Sequence, residues 1–317
     1  MNVAISKLSG YSPALPTPFD GDGSVSYSAF EQFCDLQIHH GAQALIVCGT
    51  TGEAPTLTAA ERFELVRVAV NISGGRVPVI AGAGSNSTDR ACDLARQAEC
   101  AGADALLCVV PYYNKPMQAG LYQHYCAIAQ ATGLPIILYD VPSRTACGLA
   151  DTTIARLAQL RNIIGLKDAA GDITRPTRLR ALLGPHFRLL SGNDASALSY
   201  VFQGGDGCIS VASNIAPGLC RDMYRAHENG EIVRAQRLGA VLLRLTAVLF
   251  KETNPAPVKY ALSLLGLMLP RVRLPLVEPT DQSKAELMAV MIDLSETHGP
   301  DIIANCRAIT GPALAYG

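Results

Sequence analysis

The chain repeats one pattern, in which a short apolar and often β-branched run is followed by a loop and a longer segment with helical spacing. This alternation is typical of parallel strands connected by helices. The predicted strands are Tyr11–Leu15, Ala44–Val47, Val77–Ala81, Ala105–Val109, Pro135–Tyr139, Asn162–Leu166, Phe187–Leu190 and Gly207–Ser210. The predicted helices are Tyr27–His40, Thr58–Asn71, Ser87–Cys100, Gln118–Ala131, Asp151–Leu160, Arg175–Leu183, Ala195–Gln203 and Ala216–His227. Eight such units without a long linker favour a closed (β/α)8 TIM barrel of the α/β class over an open doubly wound sheet.

The pattern changes at about Gly230, beyond which only helical segments are predicted. These segments are Glu231–Phe250, Ala256–Leu265 and roughly Gln282–Leu294. We therefore expect a barrel over residues 1–230 and a C-terminal helical region over residues 231–317. The sequence assigns no role to the tail, residues 301–317.

The charges of the chain nearly balance, because 26 basic and 27 acidic side chains leave a formal net charge of −1 without blocks of like charge. Neither a nucleic acid nor a membrane surface is therefore an expected partner. The first residues lack the apolar stretch of a signal peptide, and no apolar run is long enough to span a bilayer. Ten scattered cysteines without a CxxC motif are typical of reduced thiols in a core, so we expect a cytoplasmic protein.

No metal or cofactor motif stands out in the sequence. The six histidines are dispersed, which predicts no metal cluster. The loop Gly82–Gly84 follows a strand as a dinucleotide-binding loop would, but Ser87 occupies the position of the third glycine. Close backbone packing at a barrel rim explains these glycines, so we expect neither a metal ion nor an organic cofactor.

One lysine is placed differently from the others. Lys167 ends the run Asn162–Leu166 and would lie at the carboxyl end of the sixth strand, where barrel active sites are built. Apolar surroundings would favour its neutral, nucleophilic amine. The alternative is an ion pair with the neighbouring Asp168 at the barrel rim. The remaining lysines are interpreted as ordinary; they are Lys7, Lys115, Lys251, Lys259 and Lys284.

Tyr139 ends the fifth predicted strand, beside the strand of Lys167 in a barrel. A phenol there can relay protons while an imine forms on a lysine, although a packing role at the rim is the alternative. The turn Cys48–Glu53 offers backbone N–H groups and hydroxyls that suit a carboxylate, or is a glycine turn in which Glu53 caps locally. Arg144 is a second carboxylate anchor or a solvent-facing arginine.

Several motifs together are similar to the dihydrodipicolinate synthase and N-acetylneuraminate lyase superfamily, and within it to the dihydrodipicolinate synthases. The similarity covers roughly Ser9 to Leu294, and the motifs occur in the family's order. The motifs are Gly49–Glu53, Pro111–Asn114, Tyr139–Arg144, Gly165–Asp168, Leu190–Ala197 and Gly207–Val211. The resemblance implies a lyase that condenses pyruvate with L-aspartate 4-semialdehyde, on the path to diaminopimelate and lysine, and a homotetramer built from tight dimers.

The resemblance also implies a role for each site residue. The expected catalytic residues are the imine-forming Lys167 and a proton relay of Tyr139, Thr50 and Tyr113, the last reaching into the partner's site. Thr51 is expected to hold the pyruvate carboxylate, and Arg144 the carboxylate of the semialdehyde. Ile209, through its carbonyl, and Gly192 are expected to line the substrate pocket.

The sequence departs from the family pattern at two places. Asp140 stands where the family usually has Asn, and its charge near Tyr139 is expected to alter the proton relay or the preferred aldehyde. The second departure concerns the lysine inhibitor site of some members, of which Asn86 and Tyr112 match parts. The His, His and Glu found there are replaced by Ala59, Arg62 and Arg90. The two arginines would repel a cationic ligand, so we expect weak or absent inhibition by lysine.

Two alternatives to this function stay open at the level of sequence. The first is another pyruvate-dependent aldolase or hydratase-aldolase of the superfamily, acting on a different aldehyde by the same imine chemistry. The second is a catalytically silent barrel that binds a small metabolite, which is disfavoured by the presence of Lys167, Tyr139, Thr50 and Arg144.

Overall fold

The computed structural model describes residues 8–298 as a ring of parallel strands surrounded by helices. The strands are β1 (Gly10–Pro13), β2 (Leu45–Val47), β3 (Val79–Gly82), β4 (Ala105–Val109), β5 (Ile136–Asp140), β6 (Ile163–Asp168), β7 (Arg188–Ser191) and β8 (Gly207–Ser210). Neighbours pair in the order β1-β8-β7-β6-β5-β4-β3-β2. A bridge between Ala14 and Ile46 brings β1 back to β2. The predicted (β/α)8 barrel is confirmed.

Helices cover the outside of this ring. In chain order they are α1 (Tyr27–His39), α2 (Ala59–Ser73), α3 (Thr88–Cys100), α4 (Gln118–Ala131), α5 (Pro142–Thr145), α6 (Asp151–Leu157), α7 (Arg175–Leu183), α8 (Ala197–Phe202) and α9 (Pro217–Glu228). The chain continues with α10 (Ile232–Leu249), α11 (Ala256–Leu264) and α12 (Asp281–His298). Helix α10 packs on α9, and α12 packs on α10 and α11. The tail 301–317 and Lys7 lie outside the described residues.

Alternation along the strands divides the apolar side chains into two layers. Ile137, Leu190 and Ile209 point into the ring and belong to one buried cluster. Leu138 and Leu166 point outward and belong to the larger cluster between the ring and the helices. Alternate residues of a strand therefore point into the barrel, and the residues between them point outward to the helices.

Glycines at the end of β3 permit close backbone contact, as the sequence predicts. A Cβ on Gly82 would lie 2.1 Å from the carbonyl oxygen of Cys48, and one on Gly84 would lie 2.4 Å from the backbone nitrogen of Val109. Any side chain at these positions would separate β3 from its neighbouring segments.

Some boundaries differ from the prediction for local reasons. Strand β6 runs two residues past its predicted end, to Asp168, so that Lys167 is a strand residue. Helix α6 ends at Leu157, because the N–H groups of Gln159 and Leu160 donate to carbonyls three residues earlier and not to those four residues earlier. Between residues 8 and 298, no helix has both the length and the apolar character needed to cross a bilayer.

Candidate active site

Two adjacent strands bring the predicted nucleophile and the predicted phenol together. Tyr139 on β5 is the register partner of Lys167 on β6. Both side chains point into the barrel and are buried, and the Nζ of Lys167 lies 4.3 Å from the centroid of the Tyr139 ring. Their predicted proximity is confirmed, and it follows directly from parallel pairing of neighbouring strands.

The carboxylates that follow these two residues point the other way. Asp140 and Asp168 face outward, where Nη1 of Arg175 on α7 lies 2.8 Å from Asp140 and 3.2 Å from Asp168. Nε of the same arginine binds Asp151 at 2.9 Å. Burial raises the pKa of Asp140, which Arg175 and the backbone N–H of Leu149 oppose.

This arrangement corrects one interpretation of the sequence. The alternative of a Lys167–Asp168 ion pair is wrong, because consecutive strand residues point to opposite faces. Asp140, whose charge is expected to alter the proton relay or the preferred aldehyde, lies behind the strand and pairs with Arg175, so its carboxylate does not contact Tyr139 directly and its effect stays a prediction.

Within residues 8–298, Lys167 forms neither a hydrogen bond nor an ion pair, although it is only 6% exposed and its charge acts on the buried Asp194. Gly192, just after β7, leaves the space that the lysine side chain occupies. A Cβ on Gly192 would lie 3.1 Å from Cε and 3.2 Å from Cγ of Lys167. Because no ion pair to the described residues holds this amine, Lys167 stays the candidate nucleophile for a carbonyl carbon.

An open cavity of about 440 Å³ lies at the carboxyl ends of the strands on this side of the barrel. Thr50, Tyr139 and Arg144 all line it, so three of the predicted site residues meet there. Ile209 is buried in the same interior cluster as Tyr139. The volume suits a pair of small metabolites.

A residue that sequence reasoning missed connects the two predicted carboxylate anchors. Asn254 precedes α11 and is 5% exposed. Its Nδ2 donates to Oγ1 of Thr51 over 3.0 Å, and its backbone carbonyl accepts a long hydrogen bond of 3.5 Å from Arg144. The C-terminal region therefore holds the residues that are expected to bind substrate carboxylates.

We expect Asn254→Ala to lower kcat/KM about tenfold for the substrate whose carboxylate Thr51 is expected to hold, because the loss of one buried hydrogen bond misplaces the Thr51 hydroxyl. Steady-state kinetics should show the effect mainly in the KM for that substrate. Thr51→Val is the second single variant of a double-mutant cycle. The double variant should lose no more kcat/KM than the more damaging of the two single variants. Additive losses would show that Asn254 does not act through Thr51.

The turn after β2 contains a second feature that the sequence did not reveal. Glu53 does not cap locally; its carboxylate is fully buried and lies 2.7 Å from Nζ of Lys259 on α11. The backbone N–H of Arg273 donates to the same carboxylate over 2.9 Å. Lys259 is thus not an ordinary surface lysine, and burial lowers its pKa to about 8. This pair fixes the turn that carries Thr50 and Thr51.

Tyr113 does not line the cavity of its own chain. Its side chain is 89% exposed, and its backbone has a φ of 72°, which is rare for a residue with a side chain. The preceding Tyr112 does line the cavity. The structure of a single chain therefore does not bring Tyr113 to the cavity, and its role in the proton relay stays a prediction.

A lysine outside any ion pair, beside a tyrosine at the carboxyl end of a (β/α)8 barrel, is the arrangement expected of a lyase of the class I aldolase type. A family model described as the dihydrodipicolinate synthetase family matches residues 7–293. The chain belongs to this family.

Named relatives agree with this assignment. A 4-hydroxy-tetrahydrodipicolinate synthase from Rhodospirillum centenum is 48% identical over 279 residues, covering 88% of this chain and 96% of the relative. One from Methylobacterium radiotolerans is 50% identical over 279 residues, covering 88% and 93%. The structure of dihydrodipicolinate synthase from Cyanidioschyzon merolae with lysine bound superposes with a TM-score of 0.88 at 39% identity, covering 90% of this chain and 97% of that one.

Proposed function

We propose that this chain is a 4-hydroxy-tetrahydrodipicolinate synthase, which condenses pyruvate with L-aspartate 4-semialdehyde in the cytoplasm. The observation that carries the proposal is the unpaired amine of Lys167, 4.3 Å from the ring of Tyr139, which itself lines the cavity. Close relatives with this name along nearly the whole chain support the choice of reaction.

The reaction begins when Nζ of Lys167 attacks the keto carbon of pyruvate and gives a carbinolamine. Loss of water yields the imine, in which the positive nitrogen withdraws electrons from the adjacent methyl group. Removal of a methyl proton gives an enamine, whose terminal carbon attacks the aldehyde carbon of the semialdehyde. The amino group of that substrate then attacks the imine carbon and displaces Lys167, which regenerates the free amine.

These steps require protons to be moved at the carbinolamine and at the aldehyde oxygen. The phenol of Tyr139 lies beside the reacting nitrogen, and the hydroxyl of Thr50 lines the same cavity. We assign the proton relay to these two groups and to Tyr113 of the partner subunit. The exposure of Tyr113 supports a contact between subunits, and we propose the homotetramer built from tight dimers as the assembly.

The substrate carboxylates need donors at two places. We assign the pyruvate carboxylate to Thr51, whose hydroxyl Asn254 orients, and the semialdehyde carboxylate to Arg144. The fork of a guanidinium suits a carboxylate, and Arg144 is exposed to the cavity without an acidic partner among residues 8–298. We also assign to the pocket Ile209, which is buried in the same cluster as Tyr139, and Gly192, which adjoins the Lys167 side chain.

The choice of aldehyde can be tested with Arg144→Gln. Loss of a charge-assisted hydrogen bond of about 1.5–3 kcal/mol should lower kcat/KM for L-aspartate 4-semialdehyde roughly 10- to 100-fold. An uncharged aldehyde of similar size should be a poor substrate for both the wild type and Arg144→Gln. Its kcat/KM should differ little between the two proteins. Arg96→Gln, which removes a surface arginine paired with Asp93, is the matched control.

Steady-state kinetics with both aldehydes decide between the proposal and its rival. If the wild-type protein turned over a different aldehyde faster than the semialdehyde, another pyruvate-dependent aldolase of the superfamily would be the better assignment. Equal losses on both aldehydes in Arg144→Gln would show that the arginine does not read a carboxylate.

L-Lysine is not expected to inhibit this protein. Arg62 and Arg90 line the cavity beside Asn86 and Tyr112, and no carboxylate among the described residues lines it to receive an ammonium group. Like charges repel, so the initial rate should stay constant while L-lysine is raised to the concentration of pyruvate in the assay. Sodium chloride at equal ionic strength is the control, and saturable lysine inhibition would contradict this expectation.

A further inference from the structure

One wall of the cavity carries positive charge for which the proposed reaction has no use. Three guanidinium groups line the cavity, those of Arg62, Arg90 and Arg144, and no Asp or Glu of the described residues does. Arg144 is assigned to the semialdehyde. Arg62 begins the second turn of α2, and Arg90 lies in the first turn of α3, whereas Arg144 follows β5. We call the part of the cavity wall near the starts of α2 and α3 the arm.

Arg62 is held in place by the backbone rather than by an acid. Its Nη2 donates to the carbonyl of Gly82 over 2.5 Å, and its Nη1 donates to that of Ala54 over 3.3 Å. Burial lowers the pKa of this guanidinium, and the nearby charge of Arg90 lowers it further. Two neighbouring positive groups that repel each other are more stable with an anion between them.

Other arginines of the same helices have acidic partners. Arg67 on α2 pairs with Glu64, and Arg96 on α3 pairs with Asp93. Within the part of the chain that the structure describes, neither Arg62 nor Arg90 has such a partner. Among the arginines of α2 and α3, the two that line the cavity are therefore the two without a carboxylate partner.

Neutral donors lie beside them. Asn86 and Tyr112 are lining residues of the same cavity. The backbone of Asn86 is fixed, because its carbonyl accepts a hydrogen bond of 2.9 Å from Nδ2 of Asn114. An amide and a phenol next to two guanidinium groups provide the donors that a small, multiply charged oxyanion requires.

We propose that the arm formed by Arg62, Arg90, Asn86 and Tyr112 binds a small dianion with the chemistry of phosphate or of a short dicarboxylate. The anion lies between the two guanidinium groups and accepts hydrogen bonds from the amide and the phenol. This binding goes beyond the proposed reaction, because no substrate step uses these residues.

Calorimetric titration of the full chain tests the proposal, with inorganic phosphate and succinate as separate probes at an ionic strength fixed by sodium chloride. We expect saturable binding of at least one probe. The probe that binds shows whether the arm accepts phosphate or a short dicarboxylate. Arg90→Gln should weaken this affinity at least about tenfold, since one charge-assisted contact is lost. Arg96→Gln, on the same helix, should leave it unchanged.

Arg144→Gln separates this arm from the substrate end of the cavity. An affinity unchanged in Arg144→Gln and reduced in Arg90→Gln supports the proposal. The reverse pattern, or a heat signal that chloride alone reproduces, overturns it. The titration measures anion affinity and not turnover. Its outcome can therefore be interpreted even if the proposed synthase activity is not found. Exposed Arg90 is the preferred variant, because Arg62 also supports the backbone of two loops.

Discussion

Replacement of Lys167 by arginine is expected to reduce kcat by a factor on the order of 10⁴ or more, because an enzyme that loses its covalent nucleophile keeps only binding and charge stabilisation. Arginine has a side chain of similar length. Its guanidinium stays protonated and does not form an imine with a keto acid under the assay conditions. Steady-state turnover of pyruvate and semialdehyde measures the effect.

The control for this variant is Lys251→Arg, which alters an exposed lysine paired with Glu286 at 2.6 Å. It should retain wild-type turnover. The thermal midpoint of Lys167→Arg should remain near that of the wild type, since no hydrogen bond or ion pair to the described residues is lost. Turnover of Lys167→Arg within tenfold of the wild type would contradict an imine on this residue.

Replacement of Arg175 by methionine is expected to lower the free energy of unfolding by about 3–5 kcal/mol or more. The side chain of Arg175 satisfies two buried carboxylates, those of Asp140 and Asp168, which are 1% and 2% exposed. Without the guanidinium, both charges stay in a medium of low dielectric constant and repel each other. Urea unfolding followed by circular dichroism measures the loss.

Arg178→Met is the matched control for this prediction. Arg178 lies one turn along the same helix and pairs with Asp151 and Asp172, but its side chain is 50% exposed. Surface ion pairs contribute little, so we expect a loss of at most about 1 kcal/mol. Equal losses in the two variants would show that burial of the carboxylates is not what makes Arg175 important. If Arg175→Met does not fold, adding Asp140→Asn should restore part of the stability, because one unpaired charge is removed.

The strands and their neighbours could be predicted because the information is local. Each strand is a short apolar run, and in a parallel barrel the sequence order sets which strands are adjacent. The proximity of Tyr139 and Lys167 follows from these two facts. Strand ends were predicted less well, since β6 extends to Asp168 and only its true end shows that Lys167 and Asp168 point to opposite faces.

Contacts across long sequence distances could not be predicted in this way. Lys259 and Glu53 are 206 residues apart, and Asn254 lies 203 residues from Thr51. The only signal for Lys259 was a single charge in the otherwise apolar helix Ala256–Leu264. Arg175 gave no signal, because an arginine at the start of a helix is usually solvated. Such partners emerge from tertiary packing, which periodicity does not encode.

The central claim is that pyruvate forms an imine with Lys167. Incubation of the protein with pyruvate and borohydride, followed by proteolysis and mass spectrometry, would trap this imine as a stable secondary amine. We expect one reduced pyruvate adduct per chain, on the peptide that contains Lys167, and no adduct in Lys167→Arg. Absence of an adduct, or an adduct on another lysine such as Lys259, would contradict the account.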